Sequence, residues 1–189
     1  MVEHYSPLPK RSKHEGKQLR ITNNLFVDGT EADADEKNAL HNGTYADINM
    51  YIVDEVYYPD RENDTVSHID YPTVIYPILG YSHFPASGVE FLSDFITDGI
   101  VITYKAVSGT NRTGRDLGLT AVHEIGHWFG LEHTFVRQCE GLGDGIADTP
   151  VEDVYTLEGS NNVCPEGRDT CPGQEGLDPI HNYMDTTSE

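Results

Sequence analysis

Residues 123–135 read HEIGHWFGLEHTF, and five of these positions fit one metal-binding pattern, H-E-x-x-H-x-x-G-x-x-H. His123 and His127 are four apart, so an α-helix places both imidazoles on one face, one turn apart. Gly130 can adopt the left-handed conformation that ends a helix and turns the chain back, delivering His133 as a third nitrogen donor. Three neutral imidazoles leave the fourth position of a tetrahedral zinc ion open, which marks a catalytic rather than a structural site. Glu124 directly follows the first ligand and is the candidate base for a zinc-bound water. The competing reading is an amphipathic helix with solvated histidines. For a chain of this composition the full pattern arises by chance about once in ten thousand, so the metal reading is adopted.

The rest of the chain sets bounds on partners. Its 189 residues suffice for one domain with a real core. No apolar stretch is long enough to cross a bilayer, so no membrane partner is expected. Asp and Glu outnumber Lys and Arg 32 to 12, a net charge of −20 that argues against nucleic acid as a partner. Residues 1–17 are polar and scattered with proline, and read as a disordered tail without the apolar segment of a signal peptide. Nothing resembles a heptad or an obligate interface, so a monomer is expected.

The elements are read from periodicity and punctuation. Gln18–Val27 is a candidate edge strand and Glu31–Leu40 a short helix. Asp47–Tyr58, rich in Ile, Val and Tyr, is the clearest strand. Tyr58–Asp70 reads as a polar loop. Val74–Phe84 is strand-like but interrupted by Pro77 and Gly80 and stopped by Pro85, which predicts an edge position. Gly99–Val107 reads as a buried strand, Ser108–Gly114 as a turn and Leu117–Phe129 as the histidine helix. Trp128 and Phe129 are assigned to core packing. His181 is not assigned as a ligand, because three are already in hand, and His68 and His83 are read as incidental.

The three cysteines, Cys139, Cys164 and Cys171, all follow that helix in a Gly- and Asp-rich stretch without periodicity. Such segments gain from disulfides in oxidising compartments, and the odd count leaves one thiol over. Asn42-Gly43-Thr44, Asn63-Asp64-Thr65 and Asn111-Arg112-Thr113 are glycosylation sequons, usable if the chain is exported. Asp144, Asp148 and Thr149 offer hard oxygen ligands on a flexible loop, which suits calcium; a solvated Asp-Gly turn is the alternative.

Further stretches extend the pattern: TYADINMYIVD (44–54) and LGYSHFP (79–85) upstream, then CEGLGDGIADTP (139–150), CPEGRDTCP (164–172) and GLDPIHNYMD (176–185) downstream. With the histidine motif, these resemble the pappalysin-like metzincins, peptidase family M43, and most closely the secreted fungal extracellular metalloproteases. The resemblance spans roughly residues 18–187 and is strongest over 116–185. It implies an α+β metzincin-type zincin. A twisted, mostly parallel upper sheet would carry the zinc helix (residues 18–130), above a cleft and a small irregular lower subdomain (131–189). It also implies that Met184 forms a methionine turn, that Cys139 pairs with Cys171 (Cys164 being the alternative partner), and that calcium binding occurs in some relatives. The strand containing Gly80, Tyr81, Ser82 and His83 would bind extended peptide by main-chain pairing; an ordinary edge strand is the alternative.

The activity so implied is that of a secreted zinc endopeptidase acting on proteins or peptides, with Glu124 as general base. Three departures support the alternative of a catalytically impaired, truncated relative that binds zinc or a partner protein. Thr186 stands where the family carries a tyrosine. The helix expected after the methionine turn is missing, and the usual first strand and backing helix are largely missing ahead of Gln18.

Overall fold

The computed structural model describes residues 25–27, 31–44, 46–59, 75–85, 98–109, 117–153 and 166–186. Among the described residues six strands and two helices run in the order β1 (Leu25–Val27), α1 (Glu31–Leu40), β2 (Met50–Val53), β3 (Glu55–Pro59), β4 (Ile75–Ile78), β5 (Gly80–Ser82), β6 (Ile100–Thr103) and α2 (Leu119–Trp128). They form two adjoining three-stranded sheets, ordered β1-β3-β4 and β2-β6-β5. β1 with β3 and β2 with β6 are parallel; β3 with β4 and β5 with β6 are antiparallel. The α+β expectation therefore holds, with a mixed rather than mostly parallel sheet.

The run expected to be one strand and the run expected to be interrupted each divide once. The Asp47–Tyr58 run divides at Asp54, so that β2 joins one sheet and β3 the other. The Val74–Phe84 run divides at Leu79 in the same way. Thr103 holds both breaks. Its backbone N–H donates to the Leu79 carbonyl at 2.8 Å, and its hydroxyl donates to the Asp54 carbonyl at 2.7 Å. Both carbonyls thereby find partners where the strands change sheets. Pro77 lies within β4, which among the described strands pairs only with β3, the kind of position where a missing N–H is tolerated.

Strand alternation builds the core on both faces of the β2-β6-β5 sheet. Tyr51, Val53, Tyr81 and Val101 point to one face, where Val56, Leu40 and Ile78 join them. Ile52, Ile100 and Ile102 point to the other, where Ala121, Ile125 and Trp128 of α2 cover them. Those three helix positions are four and three residues apart, a single stripe. Each fully buried aliphatic side chain here contributes about 1.5–3 kcal/mol. β6 is buried throughout because it lies between β2 and β5. It ends at Thr103, earlier than expected, because Thr103 caps a 3-10 turn over Tyr104–Ala106.

The expected helix over Glu31–Leu40 is α1. α2 begins at Leu119, because Gly118 at φ 80° takes the left-handed conformation just before it. Phe129 is a correction: it is 69% exposed instead of packed in the core. Beyond Gly130 the described residues form turns and bends without helix or strand. The polar tail, most of Gln18–Val27, Cys164, His68 and the sequons at Asn63 and Asn111 lie outside the described residues; Asn42 is exposed.

Candidate metal centre

α2 presents its apolar stripe to the sheet and His123 and His127 to the opposite side, as their spacing requires. The helix ends in a Schellman motif: the Gly130 N–H donates to the His127 carbonyl at 2.8 Å, and the Leu131 N–H to the Gly126 carbonyl at 2.9 Å. Gly130 has φ 90°, the left-handed value that the motif demands. The reversed chain brings His133 back to the helix. The Nε2 atoms of His123, His127 and His133 are each 3.1 Å from the other two.

The ring tautomers follow from the other nitrogens. His123 Nδ1 lies 2.6 Å from the Tyr183 carbonyl, and His127 Nδ1 lies 2.7 Å from the Leu131 carbonyl. A carbonyl only accepts, so each Nδ1 carries the proton and each neutral ring has its lone pair on Nε2. Burial holds the His123 imidazole below its ordinary range, and burial together with the neighbouring histidines pushes His133 down to about 4. Converging lone pairs at 3.1 Å repel one another unless a cation lies among them. Three nitrogens at these separations can each stand about 2.0–2.1 Å from one zinc ion, so the donor set fits that metal. Among the described residues this is the single place where three His, Cys, Asp or Glu side chains gather in this way.

Glu124 is 5% exposed and lies against β5, where a Cβ added at Gly80 would meet its Cγ at 3.2 Å. Burial raises its carboxyl from an ordinary 4.5 to about 8. Met184 is buried beneath the helix, its Sδ 2.3 Å from where a Cβ on Gly126 would stand. The turn around it is held by the Asn182 side chain, whose Oδ1 accepts from the Met184 N–H at 2.9 Å. The same turn supplies the Tyr183 carbonyl that fixes His123.

Two aromatic contacts were not anticipated. The Phe135 ring stacks on His133 with centroids 4.8 Å apart, and Phe84 lies 5.1 Å from the His127 ring. Phe84 and not His83 therefore meets the histidines. His83 and Tyr81 turn toward α1, where the buried Lys37 Nζ lies 4.6 Å over the Tyr81 ring and 3.4 Å from His83 Nδ1. Gly80, Tyr81 and Ser82 form β5, which among the described strands pairs only with β6.

Cys139 and Cys171 are joined in a disulfide. The loop with Asp144, Asp148 and Thr149 gathers no cation site among the described residues. Asp144 Oδ1 accepts from the Ile146 N–H at 2.9 Å, and Asp148 is exposed.

A histidine helix, a glycine reversal that returns a third histidine, and a methionine beneath them are the marks of a metzincin. Residues 29–188 match the Peptidase M43 family, described as pregnancy-associated plasma protein-A, and the chain belongs to that family. It is 40% identical over 181 residues to an extracellular metalloprotease of Sordaria macrospora, covering 96% of this chain and 54% of that protein. An extracellular metalloprotease of Neurospora crassa gives the same identity and coverage. Mature mirolysin of Tannerella forsythia, solved in complex with a cleaved peptide, superposes with a TM-score of 0.56. Identity there is 29%, covering 86% of this chain and 54% of that one. The chain thus spans about half the length of the curated relatives it matches.

Proposed function

We propose that this chain carries the active centre of a zinc-dependent endopeptidase. In this reading His123, His127 and His133 hold the metal, Glu124 is the general base, and proteins or peptides are the substrates. The observation that carries the reading is the convergence of three Nε2 lone pairs at 3.1 Å beside a buried glutamate. Zinc bound there supplies Lewis acidity toward a water and a peptide carbonyl. The chain's own residues do the rest. The Tyr183 and Leu131 carbonyls orient His123 and His127. Glu124, buried beside β5 and directly after the first ligand, takes a proton from the attacking water and returns it to the leaving amine. The side of β5 away from β6, unpaired among the described strands and just before the Phe84 that touches His127, offers main-chain groups to an extended peptide. The cleaved peptide bound to mirolysin supports a substrate of that class. Export is supported by the disulfide and by relatives that are named extracellular.

A second reading is a metal-binding relative with impaired turnover. It is favoured by the short side chain of Thr186, exposed directly after Asp185, where the resemblance leads one to expect a tyrosine.

The deciding experiment is cleavage of fluorogenic casein by the purified chain with one equivalent of zinc, beside a phenanthroline-treated sample and the Glu124→Gln variant. Cleavage lost in both controls supports the peptidase. Stoichiometric zinc without cleavage refutes it in favour of the second reading.

A further inference from the structure

The segment that follows α2 contains a buried ionic cluster outside the metal centre. Arg168, its side chain 9% exposed, meets three carboxylates whose side chains are 2%, 1% and 0% exposed: Glu152, Asp178 and Asp185. Nε donates to Asp178 Oδ2 at 2.6 Å, and Nη2 donates to Asp185 Oδ2 at 3.3 Å and to Glu152 Oε2. Asp178 is held in turn by the Thr170 N–H and hydroxyl, both donating to Oδ1 at 2.9 Å, and Thr170 adjoins the disulfide half Cys171.

The far ends of this cluster lie next to the metal ligands. The other oxygen of Glu152 bonds the hydroxyl of Thr134, which is fully buried and directly follows His133. Asp185 directly follows Met184 and is two residues past Tyr183, whose carbonyl fixes His123. The Thr134 N–H also donates to the Met184 carbonyl at 3.3 Å, so the two ends are themselves joined. One planar guanidinium thus links the loop that presents the third histidine to the turn that orients the first.

Energetics separate this role from simple stabilisation. Burying three carboxylates against one cation costs desolvation that their attraction roughly cancels, so such a cluster adds little net stability. What an arginine does supply is geometry: a rigid fork that fixes two acceptors at once, which a lysine cannot imitate.

We propose that Arg168 is a positioning residue for the metal centre, acting through Glu152 and Thr134 on His133 and through Asp185 on the Tyr183 carbonyl and His123. This rests on the reading of the three histidines as metal ligands. The test is zinc affinity, measured by competition with a chromophoric chelator, for the wild type, Arg168→Lys and Thr134→Val, with thermal unfolding of each recorded in parallel. Thr134→Val leaves the charges in place and removes only the tether to Glu152, so it remains decisive if Arg168→Lys does not fold. The expected result is zinc binding about 10–100-fold weaker in both folded variants, the usual effect of losing an outer partner of a ligand. Unchanged affinity in a folded Thr134→Val, with or without a lower melting temperature, overturns this inference alone. A wild type that binds no zinc overturns it together with the ligand assignment.

Discussion

Gly126 sits in the middle of α2, where alanine would ordinarily be the better residue by about 1 kcal/mol. Its surroundings reverse the sign. A Cβ there would stand 2.3 Å from Met184 Sδ and 3.2 Å from Cε, with Leu131 Cδ1 at 3.6 Å closing another direction. Contact between such atoms is comfortable at about 3.5–4.0 Å, so the sulfur must retreat by more than an ångström. Met184 cannot move alone, because its N–H is bound to Asn182 and its carbonyl to the Thr134 N–H. Overpacking of this kind costs about 1–3 kcal/mol. Set against the helix gain, Gly126→Ala should lose up to about 2 kcal/mol. That corresponds to a fall of up to about 8 °C in melting temperature for a domain of this size. The displaced turn also carries the Tyr183 carbonyl away from His123, so zinc affinity should fall with stability. Thermal unfolding with and without zinc measures both effects. A double-mutant cycle with Met184→Ala should recover much of the loss, since it empties the contested space. A Gly126→Ala protein that melts above wild type with undiminished zinc affinity would refute the argument.

Further outcomes follow from other parts of the structure. Glu124→Gln should retain zinc while losing about 10²–10⁴-fold in turnover, read by metal stoichiometry beside peptide hydrolysis. In metal-free protein, the folded Glu124 carboxyl at about 8 binds its proton more tightly than the unfolded one at 4.5. Stability from this group is therefore complete below pH 4.5 and lost as the pH rises through about 8. Urea unfolding of chelator-treated wild type and Glu124→Gln should diverge across that window, by a few kcal/mol at the alkaline end; parallel curves would contradict the burial argument. Replacing Cys139 and Cys171 by serine opens a loop of sequence separation 32 and should cost about 4 kcal/mol, seen in the denaturation midpoint. Gly80→Ala would set a Cβ 2.7 Å from the Val101 carbonyl, a backbone atom that cannot step aside, and 3.2 Å from Glu124 Cγ. Turnover should drop together with stability; a fully active variant would show that β5 has room to shift.

What could be read from the sequence was local. The histidine spacing places His123 and His127 together because a helix obeys its own period, and Gly130 announces its φ of 90° because few other residues tolerate it. Glu31–Leu40 and the β5 edge position were legible for the same reason. The break at Asp54 was not. It falls in an unpunctuated run of strand-forming residues and is held by Thr103, 49 positions away. The partners of the ligand rings were equally hidden, because they are the carbonyls of Tyr183 and Leu131, and a main-chain oxygen leaves no signature in the choice of side chain. Phe129 was misread because an aromatic residue at a helix end carries no information about which way the chain turns after it. The acidic loop at Asp144 suggested an ion by composition; the Asp144 carboxylate accepts from the Ile146 N–H two residues on, a local bond that the sequence did not announce.

The three histidines differ in how each comes to its place. Two ride on one helix, brought together by its period. The third arrives on a stretch whose shape comes from the disulfide and from long-range side-chain ties. Closing that stretch must wait until residues as far along as Asp185 have been made. During synthesis the two helix histidines are therefore made well before the ties that hold the third, which reach as far as Asp185. Assembly of the three-nitrogen set is thus tied to oxidation and to loop closures distant in sequence as well as to the helix.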